Sequence, residues 1–186
     1  MDFFADNQEG NYKQYYPDGT VRLQGQLENG NREGQWIAYS REGPKEYDEF
    51  YFMNMQDSIH YYYYDDGSLR MSETYFNDKL DGESVLYAPG GTLMITLIYN
   101  DGELEGYRYM KQGKLTDIIP ITAGDQSVIA WYDNGQLSFE QSFKDFVAEG
   151  PQIRYYPDGK IMWRREYSNG QLNGKCEKYY PDGKPQ

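Results

Sequence analysis

The sequence predicts an all-β fold: an elongated, single-layer antiparallel meander of about eight repeated β-hairpins, twisted and coiled. The first observation is a glycine that recurs every 22 or 24 residues. The second is an aromatic residue four positions before each of these glycines, and the third is an apolar residue eight positions after it. Internal repeats of this length indicate an array of similar supersecondary units.

The recurring glycines serve as anchors that number the repeats. They are Gly19, Gly43, Gly67, Gly91, Gly113, Gly135, Gly159 and Gly183. The aromatic position before them holds Tyr15, Tyr39, Tyr63, Tyr87, Tyr109, Trp131, Tyr155 and Tyr179. We interpret these eight residues as a structural aromatic ladder, whose rings stack along the inward face of the sheet and fill its hollow side.

The anchors make residues 1–186 a single repeat array. Its units are expected near residues 10–33, 34–57, 58–81, 82–105, 106–126, 127–149 and 150–173, with a partial unit at 174–186. Within a unit, apolar and polar residues alternate with a period of two, which indicates half-buried strands. The fifth unit is shortened. No segment shows helical periodicity of useful length.

Each unit contains two turns. In Tyr16-Pro17-Asp18-Gly19-Thr20, proline and glycine favour a three-residue hairpin loop with a glycine bulge. This loop is expected to place Tyr15 opposite Val21 and Lys13 opposite Leu23. The second turn falls eleven residues after each anchor, and six of its seven residues are glycine, asparagine or aspartate, which tolerate positive φ; the seven are Gly30, Asn54, Asp78, Gly102, Gly124, Phe146 and Gly170.

A further glycine recurs where the chain returns into the next strand. The second repeat departs from this pattern, because the segment from Lys45 to Ser58 lacks the usual glycine pair. We expect a short connection there, as in the other repeats.

The net charge of −12 restricts the classes of partner. A field of this sign repels nucleic acid and anionic membrane surfaces, so we expect no nucleic-acid partner and disfavour a membrane. Basic proteins fit the charge better. Cys176 is the only cysteine, which excludes an internal disulfide framework. The segment Met1–Asp6 lacks the features of an export signal, which predicts a cytoplasmic protein if the chain is complete and a periplasmic or surface protein if a signal was trimmed.

The sequence contains no constellation typical of catalysis. His60 is the only histidine and stands beside a tyrosine run, where we expect a packing role. The adjacent acids Asp65 and Asp66 occupy a turn position. We therefore expect no enzyme activity, no cofactor and no metal site.

The Tyr-Tyr-Pro-Asp-Gly unit, followed by Asn-Gly and a further Gly, resembles the MORN-repeat variant of bacterial proteins. The clearest copies are Tyr15–Gly34 and Tyr155–Gly174. Proteins of this kind are often described as YwqK-type antitoxins, which neutralise a toxin by binding it, and others are scaffolds. The resemblance implies a rod of hairpins and a non-enzymatic protein-interaction module, of the antitoxin, immunity or scaffold kind. It implies no catalytic residues.

Apolar residues interrupt the polar outer face at several positions. We interpret them as a candidate partner patch, the alternative being a local register shift that buries them; they are Phe50, Phe52, Met53, Met94, Ile98 and Ile118. The alternative function is a carbohydrate-binding or cell-envelope surface protein that uses the tyrosine rows, with a glycan as ligand. The segment Gly183–Gln186 stops within a hairpin and leaves an edge strand that could self-associate.

Overall fold

The computed structural model describes residues 9–186, which form eighteen β-strands and no helix. The expected all-β meander of antiparallel hairpins is confirmed. No helix able to cross a lipid bilayer occurs in this described range. The segment Met1–Asp6, on which the expectation about an export signal depends, lies outside it.

The strands form two main sheets and a short ribbon. The first sheet contains eleven strands: β1 (Gly10–Tyr15), β2 (Val21–Glu28), β3 (Asn31–Tyr39), β4 (Lys45–Phe52), β5 (Met55–Gln56), β6 (Ser58–Tyr63), β7 (Leu69–Phe76), β8 (Lys79–Tyr87), β9 (Leu93–Asn100), β10 (Glu103–Arg108) and β13 (Ile119–Pro120). The ribbon is β11 (Met110–Lys111) with β12 (Lys114–Leu115). The second sheet contains five strands: β14 (Asp125–Trp131), β15 (Leu137–Lys144), β16 (Val147–Tyr155), β17 (Ile161–Ser168) and β18 (Gln171–Lys178).

The Pro-Asp-Gly loop closes its hairpin as the sequence predicts. The Gly19 amide donates to the Tyr16 carbonyl over 2.9 Å, and the Tyr16 amide donates to the Thr20 carbonyl over 2.8 Å. Gly19 has a φ of 87°, in the left-handed region that glycine adopts at low cost. The Asp18 carboxylate accepts hydrogen bonds from the Thr20 hydroxyl and amide, and these bonds lower the pKa of Asp18.

The strand register differs from the expectation beyond the first residue pair. Tyr15 lies opposite Val21, as predicted, but Leu23 lies opposite Gln14 and not Lys13. A β-bulge inserts one extra residue into the second strand, and the same shift follows six of the loops. In the fourth repeat, Met94 and Ile95 therefore both reach the same core.

The second turn also matches its prediction. All seven residues expected there have positive φ, including Phe146 at 67°. Neighbouring turns are joined: the Asn54 amide donates to the Arg32 carbonyl over 3.0 Å, and the Asp78 amide donates to the Gln56 carbonyl over 3.0 Å. These hydrogen bonds between turns link neighbouring repeats along one side of the sheet.

Tyrosine hydroxyls make a second link between repeats on the opposite side. In four repeats, the residue after the ladder aromatic is a tyrosine whose hydroxyl donates to the main-chain carbonyl of the next ladder residue. Tyr16 reaches Tyr39 over 2.9 Å, Tyr64 reaches Tyr87 over 2.7 Å, and Tyr156 reaches Tyr179 over 2.8 Å. These bonds tie the repeats together without requiring direct strand pairing at that point.

Ser58 occupies the place of a missing glycine in the second repeat. It stands nine residues before its anchor, where other repeats have Gly34 or Gly82. Its φ of 61° lies in the left-handed region, as do those of the two glycines. A side chain there costs free energy that glycine avoids.

We predict that Ser58→Gly raises the free energy of unfolding by about 1 kcal/mol, because glycine relieves the left-handed strain. Ser72→Gly is the matched control: Ser72 lies within β7 without positive φ, so its replacement should lower stability by a similar amount. Urea unfolding of both variants measures the effect. Destabilisation by Ser58→Gly would contradict the assignment of strain.

The fifth repeat divides the array into two sheets, where the sequence predicted one layer. On the edge away from β9, β10 pairs with β13 through only two residue pairs, Gly106 with Pro120 and Tyr107 with Ile119. Proline has no amide hydrogen to continue the ladder. The remaining hairpin of this repeat is reduced to the ribbon of β11 and β12. The shortened repeat therefore ends the first sheet.

The two sheets pack against each other through their inner faces. The shared core contains Leu86, Met94, Ile95 and Leu97 of the first sheet with Val128, Ala130 and Phe139 of the second. The Ser138 hydroxyl donates to the Met94 carbonyl over 2.7 Å and joins the sheets directly. Each sheet thus covers the apolar face of the other.

Met94 is part of this core and not of a partner surface. Its side chain is 0% exposed, so its assignment to the partner patch is wrong. The assignment assumed strict alternation, whereas the bulge after the loop turns both Met94 and Ile95 inward.

Met94→Ala should lower the free energy of unfolding by about 2–5 kcal/mol, because the substitution leaves a cavity between the sheets. Ile98→Ala, at a half-buried position on the opposite face, should cost clearly less. Denaturant unfolding of the two variants makes the comparison. Equal losses would contradict the packing of the sheets through Met94.

Candidate functional site

The outer face of the first sheet is the face turned away from the second sheet. Because side chains alternate along a strand, residues next to the buried Ala38 and Leu86 point outward. The aromatic ladder follows this rule: Tyr39 comes after Ala38, and Tyr87 comes after Leu86. The face that carries the ladder is therefore the outer one in these repeats.

The ladder does not form a continuous core: Tyr39 and Tyr87 lie on the outer face, whereas Tyr109 packs against the core between the sheets. None of its eight residues is fully buried, and Tyr15 is exposed. The Tyr39 hydroxyl accepts a hydrogen bond from Gln24 Nε2 over 3.2 Å, and the Tyr155 hydroxyl donates to the Glu140 carboxylate. Each of these polar partners belongs to the preceding repeat. The expectation of an inward ladder is therefore wrong for Tyr39 and Tyr87, because the bulge separates the ladder position from the inward apolar residues of the same repeat.

An apolar patch lies on the outer face of three neighbouring strands. Phe52 of β4, Ile59 of β6 and Phe76 of β7 are 54%, 42% and 59% exposed. Phe50 lies on the same face of β4 and is half-buried, while Met53 is exposed in the adjoining turn. The predicted residues of β4 therefore lie beside two apolar residues on neighbouring strands.

Ile59 and Phe76 were absent from the sequence prediction. The prediction singled out longer apolar runs near the turns, whereas Ile59 stands between Ser58 and His60 and Phe76 follows a single aromatic residue, Tyr75. A signal was nevertheless present, because Phe52 and Phe76 both stand nine residues after their anchors. Equivalent positions in successive repeats occupy the same face of the sheet.

Ile98 and Ile118 form a second apolar region on the outer face. Ile98 is paired directly with Gly106 in the sheet. The Ile118 side chain covers Gly106, where a Cβ atom would approach Ile118 Cγ2 to 2.7 Å. Glu83, which is paired with Ile98, separates this region from the patch and forms an ion pair with Arg108. We name the whole surface the outer apolar band: Phe50, Phe52, Ile59, Phe76, Ile98 and Ile118.

The inner face of the second and third repeats combines aromatic rings with carboxylates. The Tyr51 hydroxyl donates to Glu49 over 2.7 Å, and the Tyr75 hydroxyl donates to Glu73 over 3.0 Å. Tyr62 also reaches Glu49, and burial together with these negative charges raises its pKa. The hydroxyl groups are thus engaged within the chain.

His60 is buried at the centre of this inner cluster. Its ring centroid lies 4.7 Å from that of Tyr75 and 5.9 Å from that of Tyr51. Nε2 lies 2.8 Å from the Phe50 carbonyl, a distance at which an N–H donates. His60 therefore has the surroundings of a packing residue, and it has no nucleophile or metal ligand set around it. Within residues 9–186, no group of three or more candidate metal ligands occurs.

Buried tyrosines between the sheets have raised pKa values. Burial raises the pKa of Tyr64 to about 12, and burial also raises that of Tyr99 to about 12, compared with an ordinary value of 10.0. Because the folded pKa exceeds the unfolded one, the stabilisation that these hydroxyls provide is complete below pH 10.0. It is lost as the pH rises towards about 12.

We therefore expect the free energy of unfolding to fall between pH 10.0 and about 12. Tyrosinate absorbance and far-ultraviolet circular dichroism, followed together, should show that the last tyrosines ionise as the sheets separate. Tyr64→Phe should reduce this pH dependence. If every tyrosine ionised near pH 10.0 with the fold intact, the burial of these hydroxyls would be refuted.

Comparison with known families finds a similar repeat. The MORN repeat variant matches residues 8–29, 127–145, 148–169 and 172–186. These four segments, which together make up less than half of the chain, are similar to that repeat. The repeats between residues 30 and 126 keep the same loop and bulge geometry, with the exception of the fifth. No curated protein matches the chain significantly.

MORN repeats are generally modules that bind proteins or membranes, and the family is not an enzyme family. The matched segments include both ends of the described array, in the first sheet and in the second. The exposed surfaces of the sheets are therefore the places to seek a binding site.

Proposed function

We propose that this chain is a non-enzymatic module that binds a protein partner through the outer apolar band. The observation that carries the proposal is the exposure of Phe52, Ile59 and Phe76 on one face of three adjacent strands. Solvent-exposed apolar patches of this kind mark interaction sites more often than isolated apolar residues do. Aromatic anchors of this type also supply much of the energy at protein interfaces.

The charge of the chain favours a partner with basic residues around an apolar centre. The net charge is −12, and exposed acids such as Glu83 lie next to the band. Complementary charges at the rim of an interface accelerate association and align the two surfaces. Such a complex should associate more slowly as the salt concentration rises.

An antitoxin, immunity or scaffold role is the more specific form of this proposal. The resemblance of the repeat unit to the MORN-repeat variant supports this form. A protein that acts by binding also needs no catalytic residues. Carbohydrate binding through the tyrosine rows has less support, because Tyr39 and Tyr155 already use their hydroxyls to contact the preceding repeat.

Phe76→Glu should weaken binding of the partner at least tenfold, because it places a charge in the centre of the band. Leu172→Glu is the matched control: Leu172 is a comparably exposed apolar residue in the second sheet, so the same charge change there should leave binding intact. Quantitative affinity capture from the native host, followed by titration with the purified partner, measures both variants. Circular dichroism checks that they remain folded.

Equal loss of binding in both variants would contradict the proposed surface, since it would indicate a general effect of charge. The antitoxin form has a separate test. The captured partner should inhibit growth when expressed alone, and co-expression of this chain should relieve the inhibition. A partner without effect on growth would exclude the antitoxin form while leaving the interaction surface in place.

A further inference from the structure

A cavity of about 340 Å³ lies where the third repeat of the first sheet faces the seventh repeat of the second. Its walls include Tyr64, Tyr156 and Trp163, so that aromatic rings from both sheets contribute. The volume lies in the range of small-molecule sites. The cavity is distinct from the outer apolar band, because it opens between the inner faces.

The charges of the cavity are opposite to those of the chain as a whole. Arg70, Arg154, Arg165 and Lys178 all line it, with Asp65 as the acidic residue among its lining. Four cationic side chains and one acidic side chain are thus gathered in a protein whose net charge is −12. Among the ion pairs and side-chain hydrogen bonds of residues 9–186, none involves these four cationic groups.

Two of the arginines enclose the indole ring of Trp163. The Arg165 guanidinium carbon lies 3.8 Å from the ring centroid, and that of Arg154 lies 4.7 Å away. The Nε atoms of both arginines are shielded from solvent and have no hydrogen-bond partner among the described residues. The tryptophan face attracts the cations but leaves their N–H groups unused.

A guanidinium whose Nε atom is shielded from water without an acceptor is costly, because a cation partly removed from water needs a charge partner and acceptors for its N–H groups. Burial lowers the pKa of Arg154 to about 10, which still leaves it charged at neutral pH. An anion that entered the cavity would satisfy both requirements. Guanidinium groups suit phosphate oxygens in particular, since they donate two parallel hydrogen bonds.

We propose that this cavity binds a small organic phosphate monoester, with its phosphate group held by Arg70, Arg154 and Arg165. The excess of cations favours a dianion over a singly charged carboxylate. The remaining volume and the aromatic walls favour an apolar or aromatic body on the ligand. A nucleic-acid strand is disfavoured by the net charge and by the position of the cavity between two sheets.

Phenyl phosphate is the probe, and its binding to the full chain is measured by calorimetry and by thermal unfolding. We expect saturable binding, a higher melting temperature and a change in the fluorescence of Trp163. Inorganic phosphate should bind more weakly, and phenol should not bind. These differences separate recognition of the phosphate from recognition of the ring.

Arg154→Gln should weaken binding of phenyl phosphate at least tenfold. Arg164→Gln is the matched control. This substitution removes the same charge at the position next to Arg165, but the Arg164 side chain pairs with Glu166 and does not line the cavity. If Arg154→Gln fails to fold, Arg70→Gln takes its place, since Arg70 is exposed at the cavity and tolerates replacement.

Three results would overturn the proposal. The first is the absence of saturable binding of phenyl phosphate to the unaltered chain. The second is an equal effect of Arg154→Gln and Arg164→Gln, which would indicate general attraction of anions. The third is binding to vesicles that carry a phosphomonoester headgroup without binding of soluble phenyl phosphate, which would assign the charge cluster to a membrane surface.

Discussion

The structure depends on the register that each Pro-Asp-Gly loop imposes on its hairpin. The pair of hydrogen bonds between Tyr16 and its partners Gly19 and Thr20 closes the loop, and the glycine supplies the left-handed residue that the closure requires. A bulge then follows at once and shifts the second strand by one residue. Since side chains alternate along a strand, this local event decides which residues face inward in the six repeats that carry the bulge.

Covering the inward face explains the tertiary arrangement. A single sheet would leave its apolar side in water, and the chain instead divides at the shortened fifth repeat so that two sheets cover each other. The linking bonds of Tyr64 and Tyr156 to the following repeats keep each sheet coherent up to this division. The same arrangement leaves one outer face free and creates a cavity between the sheets.

The two surfaces that follow from this arrangement differ in chemistry. The outer apolar band is acidic at its rim and suits a protein with basic residues. The cavity is basic, aromatic and small, and suits an anion. The loop and bulge geometry recurs in both sheets, so the difference comes from the side chains at equivalent positions. Repeat 3 contributes Phe76 to one surface and Arg70 to the other, six residues apart in the sequence.

The sequence by itself determined the repeat length, the two turns and the all-β class, because these depend on residues close together in the chain. Even the positive φ of Phe146 could be predicted from its place after the anchor. Only the tertiary structure decided that Met94 is buried, that Tyr39 and Tyr87 lie outside, and that Arg70 and Arg154 line one cavity. The reason is physical: a bulge changes the face of a side chain without changing the apolar pattern, and the docking of two sheets joins residues that no local period relates.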